Sequence, residues 1–155
     1  MPLLTLVGLG ASPILAQKPD FSGAWKLNEA KTDAPMAGGN SGRMGPPAEL
    51  FITQSDSKLV IEQKSAERSR LLTYYLDGRE SKNPGMRGNE MVTKSTWVDN
   101  TIVTEGENTF ATPNGEMKIS TKEIRSLSSD GKSMTVLMTM VSPRGTMTRT
   151  MVYDR

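Results

Sequence analysis

The chain contains neither cysteine nor histidine. Without cysteine there is no disulfide, no thiol nucleophile, no thiolate metal site and no lipid anchor through a thiol. Without histidine the commonest general base, metal ligand and haem ligand are missing. Aromatic residues make up 5% of the chain, too few for a platform that stacks nucleic-acid bases. Neither sign of charge dominates: 19 Lys and Arg against 17 Asp and Glu leave +2, with no long basic run. Nucleic acid is therefore not an expected partner. Hydrophobic residues reach 35%, low for a helical globule and suited to a barrel with a wet outer face.

Long apolar runs are scarce as well. The one clear case is residues 1–16, uncharged and followed by Gln17. It reads as the apolar core and cleavage region of a secretory signal peptide, cut after Ala16. It is too short and too Pro-broken for a transmembrane helix, and no later stretch qualifies. Residues 17–155 are expected to form one soluble, monomeric domain with no integral membrane segment, periplasmic or secreted.

What the sequence does have is alternation. In Phe21-Ser22-Gly23-Ala24-Trp25-Lys26-Leu27-Asn28, Phe21, Gly23, Trp25 and Leu27 share one face of a strand. A Gly two residues before a Trp lets another part of the chain approach the backbone where the indole packs. The last stretch alternates too: Met147, Arg149, Met151 and Tyr153 fall on one face. Between them, residues 29–47 carry repeated Gly and Pro and read as a flexible loop, a candidate cover for a barrel mouth. From Ala48 onward the pattern is strand, turn, strand. The turns are marked by Ser55-Asp56-Ser57, Asp77-Gly78, Asn83-Pro84-Gly85, Asp99-Asn100, Pro113-Asn114-Gly115, Asp130-Gly131 and Pro143-Arg144-Gly145. Tight turns predict antiparallel neighbours throughout. The expectation is an all-β fold, an antiparallel up-and-down barrel of eight to ten strands, closed so that no edge is left bare.

The two ends carry a resemblance. Phe21-Ser22-Gly23-Ala24-Trp25-Lys26-Leu27 resembles the first strand of fatty-acid-binding proteins, and Gly23 with Trp25 the first lipocalin motif. Val152-Tyr153-Asp154-Arg155 is similar to the ending common among fatty-acid-binding proteins. Residues 21–28, 31–33 and 128–132 together resemble the small secreted bacterial lipocalin-like proteins of the calycin superfamily. The resemblance implies a barrel that binds a small hydrophobic or amphipathic ligand, of the fatty acid or lipid class, in its interior. The chain departs from the pattern in three places. The lid helices of fatty-acid-binding proteins are replaced by Gly/Pro loop, Met151 stands where their Arg-x-Tyr anchor has Arg, and the second lipocalin motif is absent.

The candidate ligand contacts are Trp25, Tyr74, Trp97, Met138, Arg149, Met151 and Tyr153. In calycins the first-strand Trp is covered by a basic side chain from the last strand. Arg149 and Arg155 compete for that place here. If Arg149 is not used there, it can hold an anionic head group beside Tyr153. Of the 11 methionines, five (Met134, Met138, Met140, Met147 and Met151) cluster on the last two strands and read as an adaptable apolar lining, although thioethers also suit Cu(I). Glu105 with Glu107, and Glu123 with Arg125, are spaced two apart and read as solvated outer faces. No nucleophile motif, phosphate loop or metal-ligand spacing is present. Neither catalysis nor a cofactor is expected. The alternative function is a non-catalytic envelope interaction protein whose barrel is filled with side chains.

Overall fold

The computed structural model describes residues 17–34, 45–66, 68–85 and 88–155. The leader-like segment 1–16 and residues 35–44 of the Gly/Pro loop lie outside the described residues. Ten strands follow one another: β1 Gly23–Leu27, β2 Glu49–Gln54, β3 Lys58–Ser65, β4 Arg68–Tyr75, β5 Asp77–Pro84, β6 Glu90–Val98, β7 Thr101–Thr112, β8 Gly115–Leu127, β9 Ser133–Ser142 and β10 Gly145–Asp154. They form one antiparallel sheet in the order β4-β3-β2-β1-β10-β9-β8-β7-β6-β5. Among the described residues no helix is long and apolar enough to cross a membrane.

The ends of the chain meet. Lys26 pairs with Asp154 and Leu27 with Tyr153. That ladder is short, and the chain after β1 extends it by running beside β10. The Asn28 N–H donates to the Val152 carbonyl at 2.8 Å, and the Asp33 N–H to the Thr150 carbonyl at 2.9 Å. In return, Thr32 Oγ1 and Asp33 Oδ2 accept from the N–H groups of Val152 and Thr150. Two side chains thus satisfy backbone groups that a regular strand would have paired.

The barrel is nearly closed. The expectation that every tight turn joins ladder neighbours fails at one place, between β4 and β5, which are consecutive but share no ladder. Side chains bridge them instead. Asn83 Oδ1 accepts from the Thr73 N–H at 2.7 Å, and Asn83 Nδ2 donates to the Thr73 carbonyl at 2.8 Å. Ser81 Oγ accepts from the Tyr75 N–H at 2.8 Å, and Arg70 donates to the Pro84 carbonyl. A carboxamide presents a donor and an acceptor as a peptide does, so Asn83 takes the place of a missing ladder residue. Asn83→Ala is expected to leave both groups of Thr73 unpaired and to cost about 2 kcal/mol. Amide exchange at Thr73 should quicken while Tyr75, held by Ser81, stays protected. Unchanged exchange at Thr73 would show that the seam does not depend on Asn83.

The core lies inside the ring. Its fully buried members include Trp25, Leu59, Ile61, Ile102, Met134 and Tyr153. Phe21 precedes β1 and plugs one end, with its ring 6.1 Å from that of Trp97. The Phe21 carbonyl accepts from Trp25 Nε1 at 2.9 Å, and the Phe21 N–H donates to Gln54 Oε1. Lys18 lies over the Trp97 ring and donates to the Asp99 carbonyl. The outer wall carries Lys–Glu pairs across neighbouring strands, such as Lys122 with Glu105 and Lys118 with Glu107. These are exposed and contribute little singly.

Candidate functional site

Strand pairing places the inward side chains in rungs. One rung holds Met151, Val136, Arg125 and Ile102. The next holds Arg149, Met138, Glu123 and Thr104. Thr104 continues to Ser95, whose hydroxyl is 2.8 Å from Thr104 Oγ1. The inner wall is therefore uneven. β1 to β4 contribute Leu, Ile and aromatic side chains, whereas β5 to β7 contribute the buried polar Ser81, Asn83, Thr93, Ser95, Thr104 and Asn108.

Arg125 is the most deeply buried charge on this wall, at 3% exposure. Its Nη2 stands 2.5 Å from Glu123 Oε2. The contact is close but not aligned as a hydrogen bond, and among the described residues Glu123 Oε2 has no hydrogen-bond partner. Among the same residues Arg125 Nε and Nη1 have none either, nor do Arg149 Nε and Asn108 Oδ1. Burial, the largest single influence, works against the Arg125 charge, but Glu123 together with Tyr74 and Tyr153 outweighs it and holds the guanidinium pKa above its ordinary value. The guanidinium carbon lies 5.4 Å from the centre of the Tyr74 ring. Burial also pushes the phenols of Tyr74 and Tyr153 above their usual range.

Glu123 and Arg125 therefore point inward, contrary to the outer-face reading of the sequence. Glu105 and Glu107 do lie on the outer face. The signal was present in β8. Lys118 and Lys122 alternate with Met117, Ile119 and Leu127, which fixes the odd positions as inward. Ile124, on the opposite parity, blurred it.

The seven candidates divide into two groups. Trp25 and Trp97 belong to the plugged end, around Phe21. Tyr74, Met138, Arg149, Met151 and Tyr153 line the inner wall within reach of the Arg125 and Glu123 rungs. The Tyr153 hydroxyl is already engaged, donating to the Pro47 carbonyl at 3.2 Å. Two open depressions, of about 200 and 450 Å³, flank β1 on the outside, and of the seven candidates only Trp25 borders either.

The competition for Trp25 resolves in favour of Arg155. Its guanidinium carbon lies 4.5 Å from the Trp25 ring centre. Its nitrogens donate to the carbonyls of Ser22 at 2.8 Å and Gly131 at 2.7 Å. Gly23 makes room for it: a Cβ there would stand 3.4 Å from Arg155 Nη1, on a backbone with φ +130. Arg149 is left free of the indole. Its Nη2 makes one long contact, 3.5 Å, with the Asp33 carbonyl. Arg155→Ala is expected to cost about 1 kcal/mol, through an exposed cation–π contact and two carbonyl hydrogen bonds. Trp25 emission should change with it. A variant with unaltered emission and stability would remove Arg155 from the closure.

No known family model matches the chain, and no curated protein matches it.

Proposed function

We propose that the barrel holds a small amphipathic molecule of the fatty-acid or lipid class, with its anionic head group at Arg125 and Arg149. The observation that carries this reading is the pair of buried guanidinium groups with nitrogens that find no partner among the described residues: Nε and Nη1 of Arg125, and Nε of Arg149. Buried donors without partners are costly, and an oxyanion satisfies several at once. The charge balance supports the same reading. Arg125 and Arg149 bring two positive charges to adjacent rungs and Glu123 returns one negative. Met138, Met151 and Tyr74 would take the apolar part of the ligand. The lipocalin-like character of the two chain ends and the leader-like residues 1–16 fit an exported, non-catalytic carrier.

The test is a titration with a fluorescent long-chain fatty acid and with the alcohol of the same chain. The protein is expected to bind the acid saturably and at least about tenfold more tightly than the alcohol, a difference of roughly 1.4 kcal/mol. That preference should shrink in Arg149→Met and vanish when Arg125→Met and Glu123→Gln are added. Equal affinity for acid and alcohol in every variant would remove the head-group site, and no saturable binding of either would remove the carrier. The second reading, a filled barrel serving as an interaction protein, draws on the dense apolar packing around Leu59, Ile61, Ile102 and Met134. It predicts that last outcome.

A further inference from the structure

The inner face of the last hairpin carries a different chemistry, one that does not depend on the head-group reading. β9 turns Met134, Met138 and Met140 inward, and β10 turns Met147 and Met151 the same way. Exposure rises along this face. Met134 is 0% and Met151 7% exposed, Met138 and Met140 are half-buried, and Met147 is 41% exposed. A line of thioethers thus runs from the core to the end of the barrel at the β9–β10 turn.

The register brings three of them together. Met147 stands directly opposite Met140, and Met138 lies one rung deeper on the strand of Met140. Directly opposed Cβ atoms are about 5 Å apart and diagonal ones about 7–8 Å. A methionine side chain has three rotatable bonds beyond its backbone, enough to close such gaps. An apolar lining accounts for the buried Met134 and Met151. Met147 lies outside that lining, 41% exposed and directly opposite a second methionine.

The surroundings favour a soft, singly charged ion. Thioether sulfur selects Cu(I) over hard cations. The chain has no cysteine or histidine to compete for it. Among the described residues no group of three Asp or Glu could hold a hard ion. Met138 is flanked in its rung by Arg149 on β10 and Glu123 on β8, while Met140 has Thr121 beside it. The flanking charges are opposite in sign, so they oppose a monovalent cation less than Arg149 alone would.

We propose that Met138, Met140 and Met147 form a three-thioether site for Cu(I) or its analogue Ag(I). The test is calorimetric titration with Ag(I), together with competition for Cu(I), kept reduced by ascorbate, against a chromogenic chelator. One ion per chain is expected, bound more tightly than about 10 μM, with a raised Tm and a sulfur-only first shell in X-ray absorption. The triple variant Met138→Leu, Met140→Leu, Met147→Leu nearly conserves volume and should keep its fold. It is expected to lose at least roughly 100-fold in affinity, since even outer-shell changes cost 10–100-fold at metal sites. Met134→Leu with Met151→Leu, deeper on the same face, should leave the affinity unchanged. Absence of saturable binding by the wild type, or equal affinity in the triple variant, overturns the site. Should the triple variant fail to fold, the exposed Met147→Leu alone decides: a loss of about tenfold or more supports the site, and unchanged affinity overturns it.

Discussion

Arg125→Met is expected to lower the stability of the barrel by about 3–5 kcal/mol, the usual effect of stripping the partner from a buried charge. Methionine fills much of the volume of the arginine stem, so the effect comes from what is left behind. Glu123, with its side chain 23% exposed, would remain in a rung between Met138 and Thr104 with no cation beside it.

Adding Glu123→Gln to Arg125→Met removes the stranded charge. The double variant is expected to recover most of the loss, because replacing both members of a buried pair is often near neutral. Urea unfolding followed by far-UV circular dichroism would measure this. If the single variant were as stable as the wild type, or the double variant no better than the single, the pair would not be the coupled unit described above.

Phe21→Ala should have an effect of similar size, about 3–5 kcal/mol, as expected for emptying a fully buried aromatic site. Phe21 is 0% exposed although it lies outside every strand. It is held there by its own backbone, through Gln54 and through Trp25 Nε1. These hydrogen bonds survive the substitution, so the loss reports the ring alone. For a domain of this size the midpoint of thermal unfolding should fall by roughly 10 °C. Trp97, in contact with the Phe21 ring, should become more exposed and shift its emission to the red. A change below about 1 kcal/mol would mean that the strap before β1 is not part of the core.

Most of the fold was legible because alternation and turn chemistry agree along nearly the whole chain. The Asp130-Gly131 and Pro143-Arg144-Gly145 turns separate β8, β9 and β10, and the inward set Met147, Arg149, Met151 and Tyr153 follows from parity alone. The meeting of the two ends was legible from Gly23, Trp25 and the basic residues near the C-terminus. Which of those residues covers the indole was not, since Arg149 and Arg155 differ only in where the strand ends. The seam was hidden for a related reason. Asp77-Gly78 signals a reversal, and the chain does reverse there, but a turn signal says nothing about whether the strands stay within ladder distance. Asn83 and Ser81 hold them by side-chain chemistry, at positions that alternation marks only as inward and polar. The Arg125–Glu123 pair was misread because two charged residues spaced two apart look the same on either face of a strand. Only Lys118 and Lys122 distinguish the faces.

The place where the ring is joined also bears on how the chain folds. The contacts that bring β1 to β10 link residues as far apart as Ser22 and Arg155, 133 positions along the chain. The one break in the ladder falls between consecutive strands. A circularly permuted chain that began at Asp77, ran through Arg155 into Gln17 and ended at Leu76 would read off the sheet in its spatial order. Every ladder would then join consecutive strands, and the entropy of closing the longest loop would fall on the seam, which has no ladder to form. The most distant contacts would then be the side-chain bridges of the seam rather than the β1–β10 ladder. In its natural order the chain must instead search for its most distant pairing to complete the sheet.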